Sequence, residues 1–264
     1  MAILASEITF IGSLGDLSAY RMRGSDKIIV RRKGGADKNK IKTSPSFVNT
    51  RRVNAEFGGR STASKWIMQA LWPLKPLADY NIAGALNALM KPIQALDNLN
   101  EWGKRSIALS QNPCILEGFS LNNKIVLESV IRTPISYTLS KEHLTARVDI
   151  PQLIHGINFH LMNYPVFKVI ATLGIVPDLS YHELGYNQSA HAYSQLNAQK
   201  VSTEWLAVSK GSEGITLDLK SPYTMPDNHF SLVLGVGIAY GSYSDGSNVE
   251  QVKYAGCAKV LGVR

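Results

Sequence analysis

After Gly103 the chain falls into ten short apolar runs, among them "ISYTLS", "LTARVDI", "FKVIATLGIV", "ITLDL" and "HFSLVLGVGIAY", separated by Asn, Gly, Pro, Asp and Ser. Most read with a period of two, and few architectures accept that many strand-length segments in series. The pattern predicts an antiparallel β-sandwich over residues 105–264. Within it Ser140-Lys141 and Val148-Asp149-Ile150 are echoed by Ser209-Lys210 and Leu217-Asp218-Leu219, and Gly174-Ile175-Val176 by Gly237-Ile238-Ala239. An internal repeat of residues 133–185 in 202–264 follows from that echo, either as two halves of one sandwich or as two small domains.

The preceding segment changes period. Ser44-Pro45 is a helix start, because a hydroxyl can satisfy orphan amides and proline is preformed for a first turn. The helix it opens runs to about Leu71, before Pro73 and Pro76. Ala55, Gly59 and Ala63 recur four apart and present a small-residue face to a second backbone. The expected partner is the next segment, where Ile82, Leu86, Leu89, Ile93 and Leu96 repeat at helical spacing. Residues 44–104 therefore read as a helical hairpin, with Pro92 either kinking its second helix or opening a third.

Residues 1–43 begin the chain with "LSAYRMR" and "KIIVRRK" around "GSD", a β-hairpin signal. The alternation predicts an arm with one apolar and one strongly basic face. The fold class expected is thus α+β: an N-terminal hairpin arm, a helical hairpin and an antiparallel sandwich.

Charge is concentrated in one place. From Arg21 to Arg60 twelve Lys and Arg stand against three acidic residues, a local +9 in a chain whose total is +8. The remainder is nearly neutral, so the basicity belongs to one segment and not to the whole fold. With 45% apolar and 18% charged residues the chain is that of a folded protein. No apolar stretch reaches the ~20 residues of a membrane-spanning helix. The opening "MAILASEITFIGSLG" lacks a basic region ahead of its apolar residues, so the expectation is a cytoplasmic protein or one released in an assembled particle.

"GSLGDLSAYRMRGSDKIIVRRKGG" followed by "SPSFVNTRRVNAEFGG" resembles the start of an uncharacterised bacterial family, in which a G-x-x-G hairpin with arginines precedes a helix carrying Thr-Arg and an aromatic. The resemblance covers the first quarter of the chain. It implies no activity, cofactor or partner.

Chemistry-bearing motifs are few. None of the six histidines forms H-E-x-x-H, and the nearest pair, His155 and His160, has no acidic third ligand beside it. "GVGIAYG" at 235–241 lies inside a β-rich run and opens no helix, so its glycines suit close packing rather than a phosphate. "GRSTASK" misses the S-x-x-K spacing by one residue. Cys114 and Cys257 are too few for a disulfide framework or a structural zinc site. Asp149 and Asp218 lack the ladder of a calcium loop and read as outward polar positions. The tyrosines of the C-terminal half and Trp205 fit either a recognition rim or the polar-tipped edge of a core.

No catalytic, cofactor or metal residue is assigned, and the chain reads as non-enzymatic. The function expected is a structural subunit that self-assembles into a homo-oligomer, filament or shell-like particle. Its contacts would come from Arg21, Arg23, Lys27, Arg31, Arg32 and Lys33 of the arm with the apolar Ile28 and Val30. Arg51 and Arg52 and the Ala55, Gly59, Ala63 face would complete the surface. Two alternatives remain open: binding or packaging of nucleic acid through residues 21–60, and surface recognition by the β-rich part.

Overall fold

The computed structural model of the chain describes residues 10–22, 27–160, 163–183, 185–244 and 248–264. The chain is mixed α+β, with helices and antiparallel sheets that do not close. It divides into two compact units, residues 1–51 and 52–264.

The first unit holds β1 (Gly12–Leu14), β2 (Leu17–Arg21), β3 (Ile28–Arg32) and α1 (Lys38–Thr43). The three strands form an antiparallel meander, with Leu14 opposite Leu17 and Ala19 opposite Val30. The Gly-Ser-Asp turn expected between the last two strands falls outside the described residues. The division into an apolar and a basic face does not hold. Direct partners share a face, so Arg21 and Arg32 lie on the side of Ala19, Val30 and Ile28, while Arg31 lies with Tyr20 and Ile29. The reason is in the sequence: Arg31 and Arg32 are consecutive, and a period of two must send them to opposite sides. The polar stretch after β3 is not all loop. Asp37 accepts from the Asn39 amide to start α1, and Lys40 and Lys42 occupy its last turn, where the helix dipole favours cations.

After a 3₁₀ turn at Pro45–Phe47, α2 (Val48–Ala70) runs to a second 3₁₀ segment at Trp72–Leu77, which carries Pro73 and Pro76. The second unit continues with α3 (Ile82–Ala95), uninterrupted at Pro92, and the short α4 (Leu127–Val130). Its strands are β4 (Ser136–Ser140), β5 (Thr145–Ile150), β6 (Val166–Pro177), β7 (Leu179–His182), β8 (Gly185–Gln188), β9 (Gln199–Ser202), β10 (Leu206–Ala207), β11 (Ile215–Lys220), β12 (Phe230–Ser244) and β13 (Asn248–Val263).

A five-stranded sheet, β10-β6-β12-β13 with β9 also on β6, forms the centre of this unit. Its long strands look continuously apolar because both faces are covered. Phe167, Val169, Ala171 and Leu173 of β6 join Leu232, Leu234, Val236 and Ile238 of β12 in one core, which takes Val148 and Leu217 from the second sheet, β11-β5-β4. The alternate residues Ile170, Val176, Val233 and Ala239 turn the other way, onto Ile67, Leu71, Leu86 and Met90 of the helical side. Helix backbone comes very near the sheet there. A Cβ on Gly174 would stand 2.4 Å from that of Ala70, and one on Gly235 would stand 2.8 Å from Leu74. This is the packing role that the glycine-rich run suggests.

The two members of the internal echo lie side by side. Val148 and Leu217, equivalent in sequence, are direct partners in the β5-β11 pair, and β6 pairs antiparallel with β12. Each member of the echo therefore contributes a strand to each of the two sheets.

Candidate interaction surface

The expected contact residues separate into three groups according to what α2 and its neighbours do with them. Arg51 is spent inside the first unit: its guanidinium donates to the carbonyls of Ile41 (2.8 Å) and Ser44 (2.9 Å), closing the end of α1. Arg52 lies over the Trp102 ring at 5.6 Å.

The small-residue face turns inward. Ala55 is half-buried, and Gly59 and Ala63 are buried. A Cβ on Gly59 would meet the Tyr186 ring at 2.8 Å, so a tyrosine from β8 occupies the notch expected to receive a second helix. Tyr186 is itself fixed there. Its hydroxyl donates to the Arg105 carbonyl (2.9 Å) and accepts from Gln94 (3.0 Å), and burial pushes its pKa up to about 12.

Beside it Glu56, buried on α2, accepts two bonds from the Arg105 guanidinium (2.6 and 2.8 Å) and one from the Gly103 amide (3.0 Å). Burial alone would raise this carboxyl. The Arg105 bonds and the amide outweigh it and hold the pKa below the ordinary value. Sequence reading missed this pair because forty-eight residues separate its members and neither lies in a motif. A glutamate on the same helix turn as Gly59 was the available signal.

The arm residues stay outside. Arg21, Lys27, Val30, Arg31, Arg32 and Lys33 are exposed and Ile28 is half-buried; Arg23 falls outside the described residues. Arg31 lies 5.5 Å from the centroid of the Tyr20 ring, Lys33 donates to the Gly15 carbonyl, and Arg32 approaches Asp16 at 3.6 Å with both groups open to water. Such a pair adds little holding energy. Between these cations Ile11, Leu14, Leu17, Tyr20 and Met22 are exposed as well, Ile11 at 65% and Leu14 at 63%. Among the described residues neither hydrophobic core includes a side chain from before Ala63.

Elsewhere the polar groups serve the fold. Arg147 stands between Asp149 (3.6 Å) and Asp218 (3.4 Å), and Thr216 donates to Asp149. A cleft of about 600 Å³ opens between the end of α3 and β7 and contains two carboxylates, Asp97 and Asp178. Asp97 accepts from the amides of Leu99, Asn100 and Ser106. Although burial opposes it, these bonds and that of the Asn100 side chain bring its pKa down to about 2. Asp178 accepts from the Ser110 amide and hydroxyl. Both acids are thus committed to holding loops.

Among the described residues no group of three or more His, Cys, Asp and Glu stands in reach of one metal ion. Both cysteines are free; burial pushes the Cys257 thiol up to about 12. Of the aromatics, Tyr186, Tyr193 and Tyr240 are buried and Tyr243 is exposed. No helix among the described residues is long and apolar enough to cross a membrane.

No protein-family model, curated protein or solved structure matches the chain.

Proposed function

We propose that this protein is a non-enzymatic structural subunit that assembles with copies of itself through the strand edges of residues 12–32. The observation that carries the reading is the meander of the first unit. Among the described residues its outer strands, β1 and β3, each pair on one side only, and it contributes nothing to either hydrophobic core. A free edge offers a row of amides and carbonyls to an incoming strand, with side-chain alternation setting the register. Contacts of that head-to-tail kind close rings or propagate filaments. In this reading the two sheets of the second unit stack as a β-sandwich carried by each copy. Gly59 and Ala63, already filled from within, drop out of the contact, and the arm strands provide it alone.

Negative-stain microscopy with sedimentation tests the proposal. The full chain should form ordered particles, and a chain lacking residues 1–43 should remain soluble and β-rich but monomeric. A monomeric full chain, or a truncated chain that assembles equally well, overturns it.

A further inference from the structure

The faces of the meander, as distinct from its edges, carry a second chemistry. Residues 1–51 hold ten Lys and Arg against four acidic residues. On the face of the meander that carries Arg21 and Arg32 the exposed apolar side chains are aliphatic, Leu14, Leu17 and Val30, while Arg31 and Tyr20 lie on the other face. We propose that this interleaved aliphatic and cationic surface docks onto an anionic lipid bilayer, with arginines at the headgroups and aliphatic side chains at the acyl boundary.

Three occupants compete for such a surface, and charge with side-chain type decides among them. Another copy of the same face would bring like charge against like charge. The part of the chain outside 21–60 sums to about −1, so it offers no strongly acidic counterpart. Nucleic acid would satisfy the arginines yet leave the aliphatic side chains in water. Single-stranded recognition needs open aromatic platforms, and Tyr20, the exposed aromatic of these strands, already carries Arg31 over its ring. An anionic bilayer uses both components, because buried apolar area and attraction to acidic headgroups add in interfacial binding.

The experiment uses the full chain with vesicles of phosphatidylcholine alone or with one quarter phosphatidylserine, in low and high salt, and with duplex DNA in the same buffers. Binding is expected to phosphatidylserine vesicles only, and to fall in high salt. Replacing Arg21 and Arg32, which share the face of Leu14 and Leu17, with Gln removes two charges worth about fivefold each, so partition should weaken about 25-fold. Leu14→Ser with Leu17→Ser should weaken it about tenfold and leave any DNA retention unchanged. No binding to the anionic vesicles overturns the proposal. So does vesicle binding that is indifferent to the leucine changes, and so does DNA retention tighter than vesicle binding.

Because the face is separate from the edges, the outcome is distinguishable from that of the assembly proposal. A monomer that binds vesicles removes the assembly and keeps the lipid surface; particles that ignore vesicles do the reverse.

Discussion

The meander of residues 12–32 and the central sheet of the second unit are both antiparallel and both built on branched aliphatic residues, yet they are covered in opposite ways. In the central sheet Val169, Ala171, Val236 and Ile238 meet the second sheet, while Ile170, Val176 and Val233 meet helices. In the meander Ala19 is buried, but Leu14, Leu17 and Val30 around it are exposed, at 63%, 41% and 39%. Strand pattern alone therefore does not say whether an apolar residue holds the fold or is displayed. What decides is whether a second layer is available, and a three-stranded ribbon supplies none. Substitutions should cost stability in the central sheet and its helical layer, and should be nearly silent for stability at the exposed leucines of the meander.

The largest effect is expected at the sheet centre. Phe167 is fully buried with its ring centroid 4.5 Å from that of Phe159. Phe167→Ala should destabilise the chain by about 3–5 kcal/mol through lost transfer energy and the cavity left behind. Urea unfolding at neutral pH measures it, and a loss below about 1 kcal/mol would mean that this core is not close-packed.

Next comes the buried ion pair. Glu56→Gln leaves the Arg105 guanidinium facing an amide and should cost about 3 kcal/mol, in the range for breaking a buried pair from one side. The pH dependence separates this from simple packing. Because the folded carboxyl titrates below its ordinary 4.5, its contribution is complete above that pH and is lost as pH falls through the depressed value. Unfolding measured between pH 7 and pH 3 should show a steeper acid loss in the parent chain than in the Gln variant. Equal slopes would deny Glu56 that role.

Asp97 should show the same sign at smaller size. Its stabilisation is complete above the ordinary 3.8 and is lost between there and about 2. Asp97→Asn turns an amide toward one of the backbone donors, the Ser106 N–H at 2.6 Å or those of Leu99 and Asn100, and should cost about 1–3 kcal/mol. Unfolding of the variant at pH 5 gives the cost, and repeating it at pH 2 should find the two chains converging.

Much of this architecture was legible in the sequence where a local signal existed. The β2-β3 hairpin follows from alternation around Gly-Ser-Asp, α2 from Ser44-Pro45 and the later prolines, and β4, β5, β6, β11, β12 and β13 from their apolar runs. Three runs read as strands are otherwise. "SIALS" and "CILEGFSL" give 3₁₀ turns and single bridges, as Gly118 and Leu121 donate to the Val260 and Ala258 carbonyls of β13. "KIVLESVI" gives α4, because Leu127 and Val130 are buried three apart. The continuous apolar runs of β6 and β12 mark strands covered on both faces, but a run does not say which element covers it, so the helical layer over them could not be read. For the interaction surface the sequence identifies which residues are cationic. It does not disclose that Arg51 closes α1 or that Tyr186 fills the Gly59 notch, since those partners are chosen by tertiary contacts far along the chain.

The smallest stability effect is the most informative for function. Leu14→Ser with Leu17→Ser removes two directly paired side chains that are 63% and 41% exposed. A surface change away from caps, cores and ion pairs lies within about 0.5 kcal/mol, so thermal and urea unfolding should not move. If the pair instead destabilises the chain by more than about 2 kcal/mol, these leucines are packed in the folded protein and the contrast between the two sheets fails. If stability is untouched while vesicle binding falls, the leucines are held outward for a partner, and the meander is a surface rather than a piece of the core.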